Sequence, residues 1–293
     1  MMDKISFAFR RLVVLVSITL VAVSLALAKD YETVQFNPAH LAGMAIRFNV
    51  ILPADYATST ARYPVLYLLH GYTGNYTDWV TLTNVTEHAR KYREIIVTPE
   101  GDNGFYTNSY ADPKRGWEDY VIQDLIPYVD SYYRTIATRQ GRAIAGLSMG
   151  GYGALKLGLK YPQMFCAVAS LSGAPAAAKW REPFPIRDEA FRKLMESIYG
   201  PKDNPERAAN DPFELIKRVP ADLRPHLYLA IGSGDFLLEE NRQFVALLAQ
   251  LKIPYEYRES PGIHDWWFWD RQIKIVLELQ APILGALPET PKP

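Results

Sequence analysis

The apolar positions of the chain fall into two alternating periods. Short runs are apolar at nearly every residue, such as Val65–Leu69, Glu94–Thr98 and Phe165–Leu171, and longer stretches carry an apolar stripe at helical spacing. Continuous apolar runs are what strands buried on both faces require, and the longer stripes mark amphipathic helices. Taken in order, Tyr31–Phe36 and Met44–Leu52 predict two early strands, the second ending at Pro53. Val65–Leu69 predicts a buried strand, and Trp79–Tyr92 a helix. Glu94–Thr98 is the next strand, and Trp117–Tyr133 an amphipathic helix kinked at Pro127. A strand from Arg142 to Ala145 and a helix from Ala154 to Lys160 follow, then strands at Phe165–Leu171, His226–Ile231 and Tyr255–Glu259. Helices are expected over Glu239–Leu251 and from Asp265 to about Leu284. Strand alternates with helix, which predicts an α/β fold whose mostly parallel sheet is covered by helices on both faces. One stretch breaks the rhythm. Residues 174–225 are polar, proline-rich and helical only over Asp188–Tyr199. This stretch reads as an insertion that caps the site, because long loops in compact domains usually serve function.

The amino terminus has a different pattern. Lys4, Arg10 and Arg11 precede the apolar run Leu12–Leu25, and Ala26-Leu27-Ala28 offers a small-x-small cleavage site before Lys29. Residues 1–28 thus read as a signal peptide, with cleavage after Ala28 and a periplasmic or secreted product; the competing reading is a retained anchor. Residues 29–293 then form a single domain, with no stable membrane insertion after cleavage. The formal net charge of the 293 residues is +0, which gives no electrostatic case for a nucleic-acid partner. Cys166 is the one cysteine and lies in an apolar run, so no intrachain disulfide and no Cys/His metal cluster can form. No metal or organic cofactor is implied.

Candidate chemistry concentrates in four glycine-bearing turns, each following a strand. Gly146-Leu147-Ser148-Met149-Gly150 joins a strand to a helix and matches G-x-S-x-G. That turn lifts the serine hydroxyl out of the sheet and leaves the Met149 N–H free at a helix start. A serine hydroxyl needs a base, and the base needs a carboxylate to orient it. Of five histidines only His226 and His264 follow Ser148. His226 opens a strand, where its ring would be fixed in the sheet. His264 lies in the loop before the last helix, at the sheet edge where sites of open α/β folds form. His264 is therefore the candidate base. Asp235, in Gly232-Ser-Gly-Asp235, is the candidate acid; Asp211 and Asp222 in the insertion are weaker alternatives, and Asp265 adjoins the base with its side chain expected to point elsewhere. His70-Gly71-Tyr72-Thr73-Gly74 follows an earlier strand, where Tyr72 N–H can join Met149 N–H as an oxyanion hole, with His70 holding the loop. Tyr106, Asn108, Trp117 and Trp180 are candidate substrate-binding residues.

These pieces resemble the esterase D-like family of α/β-hydrolases, over nearly all of residues 31–285. The matching residues are Leu69-His70-Gly71 with Trp79 downstream, Gly146-Leu-Ser-Met-Gly-Gly-Tyr-Gly153, Gly234-Asp-Phe-Leu237 and Gly262-Ile-His-Asp-Trp266. That family includes tributyrin-type, feruloyl and acetylxylan esterases, S-formylglutathione hydrolases and mycolyltransferases. The resemblance implies Ser148 as nucleophile, Asp235 as acid, His264 as base, and Tyr72 and Met149 as oxyanion donors. It implies a serine carboxylesterase acting on small or aromatic acyl esters, free or polysaccharide-linked, through an acyl-enzyme. The alternatives are an acyltransferase using the same three side chains, and a non-catalytic carbohydrate-binding relative. The export signal sets the chain apart from the intracellular formylglutathione branch.

Overall fold

In the computed structural model, which describes residues 30–179 and 189–287, eight strands form one sheet in the order β1-β2-β4-β3-β5-β6-β7-β8. The strands are β1 (Glu32–Phe36), β2 (Ile46–Ile51), β3 (Val65–Leu69), β4 (Ile95–Pro99), β5 (Arg142–Leu147), β6 (Ala167–Leu171), β7 (His226–Gly232) and β8 (Glu256–Ser260). β1 and β2 pair antiparallel with each other, and β2 with β4; every later pairing is parallel. The expected mostly parallel sheet is present. Residues 1–28, and with them the expected signal peptide, lie outside the described residues, as does Trp180.

The continuous apolar strands divide their side chains between two cores. In β3, Val65, Tyr67 and Leu69 join one cluster with Ile144 of β5, while Leu66 and Leu68 join the other with Ala143 and Ala145. The period of two along a strand produces this split, so each face needs its own helical cover. On the first face, α5 (Met149–Lys160) supplies Tyr152, Leu155 and Leu159, and α8 (Leu238–Gln250) supplies Phe244 and Leu248. On the second, α9 (Trp266–Leu284) supplies Phe268, Trp269, Ile273, Val276 and Leu277. Among the described residues, no helix is long and apolar enough to cross a membrane.

Two expected helices are altered by local chemistry. The stretch from Trp79 splits into α1 (Asp78–Leu82) and α2 (Val85–Ala89). Thr83 is extended between them, and the Asp270 carboxylate accepts the Asn84 N–H at 2.7 Å, turning the chain toward α9. The helix from Trp117 runs as α3 (Trp117–Asp119), a wide π turn over Tyr120–Leu125, and α4 (Ile126–Tyr132). Pro127 sits in the first turn of α4, where its missing N–H costs least.

The insertion carries α6 (Glu189–Tyr199) and α7 (Pro212–Leu215). Phe191 of α6 packs edge-on against Tyr72, with ring centroids 5.4 Å apart, and the Tyr152 hydroxyl of α5 donates to Asn210 O at 2.6 Å. The insertion thus lies against the loop that follows β3, at the carboxyl end of the sheet.

Candidate active site

Parallel register brings the candidate residues to one edge. Leu69 pairs with Gly146, Gly146 with Ser170, Leu171 with Ala230 and Gly232 with Ser260, so β3, β5, β6, β7 and β8 end together. The residues following those ends include His70, Ser148, Asp235 and His264.

Ser148 has φ 52° and ψ −117°, a conformation that costs a non-glycine residue roughly 1–3 kcal/mol. Packing on both sides maintains it. The Ser148 N–H donates to Leu171 O at 2.9 Å, and Tyr152 N–H donates to Ser148 O at 3.0 Å to start α5. A Cβ on Gly146 would stand 2.4 Å from the Gly150 backbone, and one on Gly150 would stand 2.4 Å from Leu69 O. Only hydrogen fits at these two positions, which is why the turn can be so sharp.

The Ser148 Oγ lies 3.0 Å from His264 Nε2, and His264 Nδ1 lies 2.9 and 3.1 Å from the two Asp235 carboxylate oxygens. With Nδ1–H donating to the carboxylate, the Nε2 lone pair is left to accept the serine proton. The Asp235 side chain is fully buried, and it also accepts the Leu237 N–H at 2.9 Å. The imidazole packs against the Phe236 ring, centroids 4.5 Å apart, and meets the Trp269 ring edge-to-face, centroids 5.0 Å apart. The loops bearing acid and base are joined backbone to backbone: Ser233 N–H donates to Ser260 O and Gly234 N–H to Gly262 O, both at 2.9 Å. A Cβ on Gly232 would collide with Gly262 O at 2.4 Å. Asp265, the neighbour of the base, is spent as the N-cap of α9, accepting the Phe268 N–H. Asp211 caps α7 and pairs with Lys179.

The loop carrying Tyr72 abuts Ser148, for a Cβ on Gly71 would lie 3.5 Å from Ser148 Cβ. Neither Tyr72 N–H nor Met149 N–H donates a hydrogen bond among the described residues. His70 is buried beneath this loop, its Nδ1–H donating to Gly71 O at 2.8 Å and its Nε2 lying 3.4 Å from Glu100 Oε1. Burial opposes the Glu100 charge, but His70 and the N–H groups of Gly101 and Asp102 outweigh it and hold the carboxyl below its usual range.

Two expected substrate contacts, Tyr106 and Trp117, are corrected by the geometry, whereas Asn108 stays exposed. Tyr106 is fully buried, and its hydroxyl donates to His70 O at 3.0 Å; it supports the Tyr72 loop from below. Trp117 packs into the core edge-on against Tyr120. Asn108 accepts the N–H groups of Glu118 and Asp119 and so caps its own neighbouring helix. The cause lies in the backbone. Phe105 and Tyr106 both have φ 49°, and Lys156 of α5 reaches Tyr106 O, Thr107 Oγ1 and the buried Glu118 carboxylate. Burial opposes the charge on Glu118, but Lys156 and Lys160 pull its carboxyl down to about 2. Sequence reasoning missed Glu100, Lys156 and the two rings flanking His264; Phe236 and Trp269 were within reach, since they adjoin Asp235 and follow His264 by one helical turn plus one residue. Among the described residues, no group of three or more His, Cys, Asp or Glu is placed to hold a metal ion.

The chain matches a family described as putative esterase over residues 40–277. It is 32% identical over 222 residues to an acetyl esterase of Caldicellulosiruptor saccharolyticus, covering 74% of this chain and 83% of that protein. It is 33% identical over 270 residues to an esterase of Mycobacterium tuberculosis, covering 82% of this chain but 58% of the longer relative. Among solved structures it resembles a fluorophosphonate-binding serine hydrolase of Staphylococcus aureus, with a TM-score of 0.74 at 26% identity over 85% of this chain and 97% of the other.

Proposed function

This chain belongs to the esterase family, and on that premise we propose that it is a serine carboxylesterase with Ser148 as nucleophile, His264 as general base and Asp235 as the orienting acid. The hydrogen-bonded chain from Asp235 through His264 to Ser148 Oγ, at 2.9 and 3.0 Å, supports this reading above all else. Ser148 Oγ attacks the ester carbonyl while His264 Nε2 takes its proton. The buried Asp235 carboxylate favours the resulting imidazolium. Negative charge gathers on the carbonyl oxygen, where Tyr72 N–H and Met149 N–H receive it; one such donor is worth ~3 kcal/mol in enzymes where it has been removed. His264 returns the proton to the leaving alcohol, and an acyl-enzyme remains. Water, deprotonated by the same nitrogen, releases the acid. No step calls on a cofactor.

We also propose that residues 1–28 are an export signal, that residues 29–293 work as a single domain, and that the enzyme acts in the periplasm or outside the cell. Acetyl and other small or aromatic acyl esters are the proposed substrates, in keeping with the acetyl esterase relative. Acetyl, butyryl, octanoyl and feruloyl esters should be hydrolysed by the wild type and at least ~10³-fold more slowly by Ser148→Ala. Retention of wild-type rates in Ser148→Ala would exclude the mechanism. Product analysis with added alcohol separates hydrolysis from acyl transfer.

A further inference from the structure

Three large apolar side chains stand in water on the segments that carry the candidate acid and base. Phe236 is 54% exposed, Ile263 56% and Trp267 79%. Single exposed apolar residues on a protein surface need no explanation. These three differ because of where the fold holds them. Phe236 follows the acid directly and its ring lies on the His264 imidazole. Ile263 precedes the base directly and packs over Gly234, its Cγ2 lying 3.1 Å from where a Cβ would be. Trp267 sits in the first turn of α9, three residues after the base. Its neighbour Trp266 is packed edge-on against both Trp79 and Trp269, whereas Trp267 turns to solvent.

The side of the site matters. A base that accepts the serine proton at Nε2 delivers it to the departing oxygen at the same nitrogen, so the alcohol portion of the ester leaves along the His264 side. The acyl oxygen lies on the other side, at the Tyr72 loop. Several charged side chains on the flanking segments already have partners within the protein. Asp265 accepts from Phe268 N–H, Asp270 is paired with Asn84 and His88, Arg271 donates to Pro261 O, and Arg242 forms a two-point pair with Glu259. A sugar alcohol needs free donors and acceptors beside its apolar contact; a hydrocarbon does not.

We infer that the rim of Phe236, Ile263 and Trp267 binds an apolar alcohol moiety, so that the enzyme selects esters by the hydrocarbon character of the leaving group. The inference rests on the esterase reading, and the test separates the two. Acetate esters of methanol, butanol, hexanol and xylose share one acyl group and differ only in the alcohol. For the linear alcohols kcat/KM rises about twofold per added methylene, what partial burial of each CH₂ on an open rim supplies. Trp267→Ala lowers the hexyl-to-methyl ratio of kcat/KM by about fivefold or more, and Trp267→Phe restores most of it. A flat series, or a preference for the xylose ester, overturns the inference while rapid labelling of Ser148 by a small fluorophosphonate leaves the esterase reading standing. No labelling of the folded protein removes both. Sedimentation that finds a dimer dissolved by Trp267→Ala would give the rim to a second copy of the chain and overturn the inference as well.

Discussion

Replacing Tyr106 by phenylalanine removes one oxygen and nothing else. The ring stays in its slot between Gly101 and Gly153, where it already leaves no room for a Cβ. What disappears is the 3.0 Å hydrogen bond to His70 O, beneath the loop that carries the Tyr72 N–H. A buried carbonyl left without its donor costs about 1–3 kcal/mol. The rest of the loop's anchorage survives, because His70 still reaches Gly71 O and Glu100, so the loop relaxes without unfolding. The transition state feels that relaxation more than the ground state does, since only the transition state draws on a fully aligned oxyanion donor. If about half the worth of one donor is lost, kcat falls about tenfold. Steady-state kinetics on a small ester, alongside urea unfolding, measures both quantities. The expected result is a lower kcat, a KM within about twofold of wild type, and a midpoint shift equivalent to about 1–2 kcal/mol. A pocket-lining tyrosine, as the sequence suggests, would do the reverse and raise KM at constant kcat. That outcome, or no change in either constant, would refute the supporting role.

Asp235→Asn should leave the fold intact and lower kcat by about 10³–10⁴, the effect of the same change in the serine protease from which this magnitude is taken, because the imidazole loses the acceptor that fixes its tautomer; a loss under tenfold, read with a small ester, would argue against Asp235 as the acid. Glu94 lies fully buried with Gln280 as partner to one of its oxygens, and burial pushes its carboxyl up to about 8. The folded state therefore holds a proton that the unfolded chain releases near pH 4.5. Stability from this group is complete below that pH and is lost at about 1.4 kcal/mol per pH unit as the pH rises toward 8. Glu94→Gln should remove that slope, so urea unfolding at pH 5 and pH 8.5 should find the variant more stable than wild type only at the higher pH; equal gains at both would refute the assignment.

Ser148, Asp235 and His264, the proposed reacting side chains, were legible in the sequence because each sits in a short glycine-bounded turn after a strand, apolar for Ser148 and Asp235 and alternating for His264. Register then does the rest: parallel strands of similar length must end together, and the turns meet. Tyr106 and Trp117 were not legible. Their residue types suit a pocket as well as a core, and the choice was made by the left-handed backbone at Phe105 and Tyr106 and by a lysine fifty residues away. The break in the helix after Leu82 depends on Asp270, distant in sequence, so local periodicity carries no trace of it. Asp211 reads as a spare carboxylate until its capping bond to Phe213 N–H is seen.

The paired bonds between the Ser233–Gly234 and Ser260–Gly262 backbones make Asp235 and His264 passengers on one small platform. A disturbance arriving from α8 or α9 carries both together, so their mutual contact persists while the gap to Ser148 opens. The serine is anchored elsewhere, in the middle of the sheet. Remote substitutions should accordingly tune this catalyst along a single coordinate, the Oγ–Nε2 separation, and transplanting the machinery to another scaffold would require moving both loops as one piece.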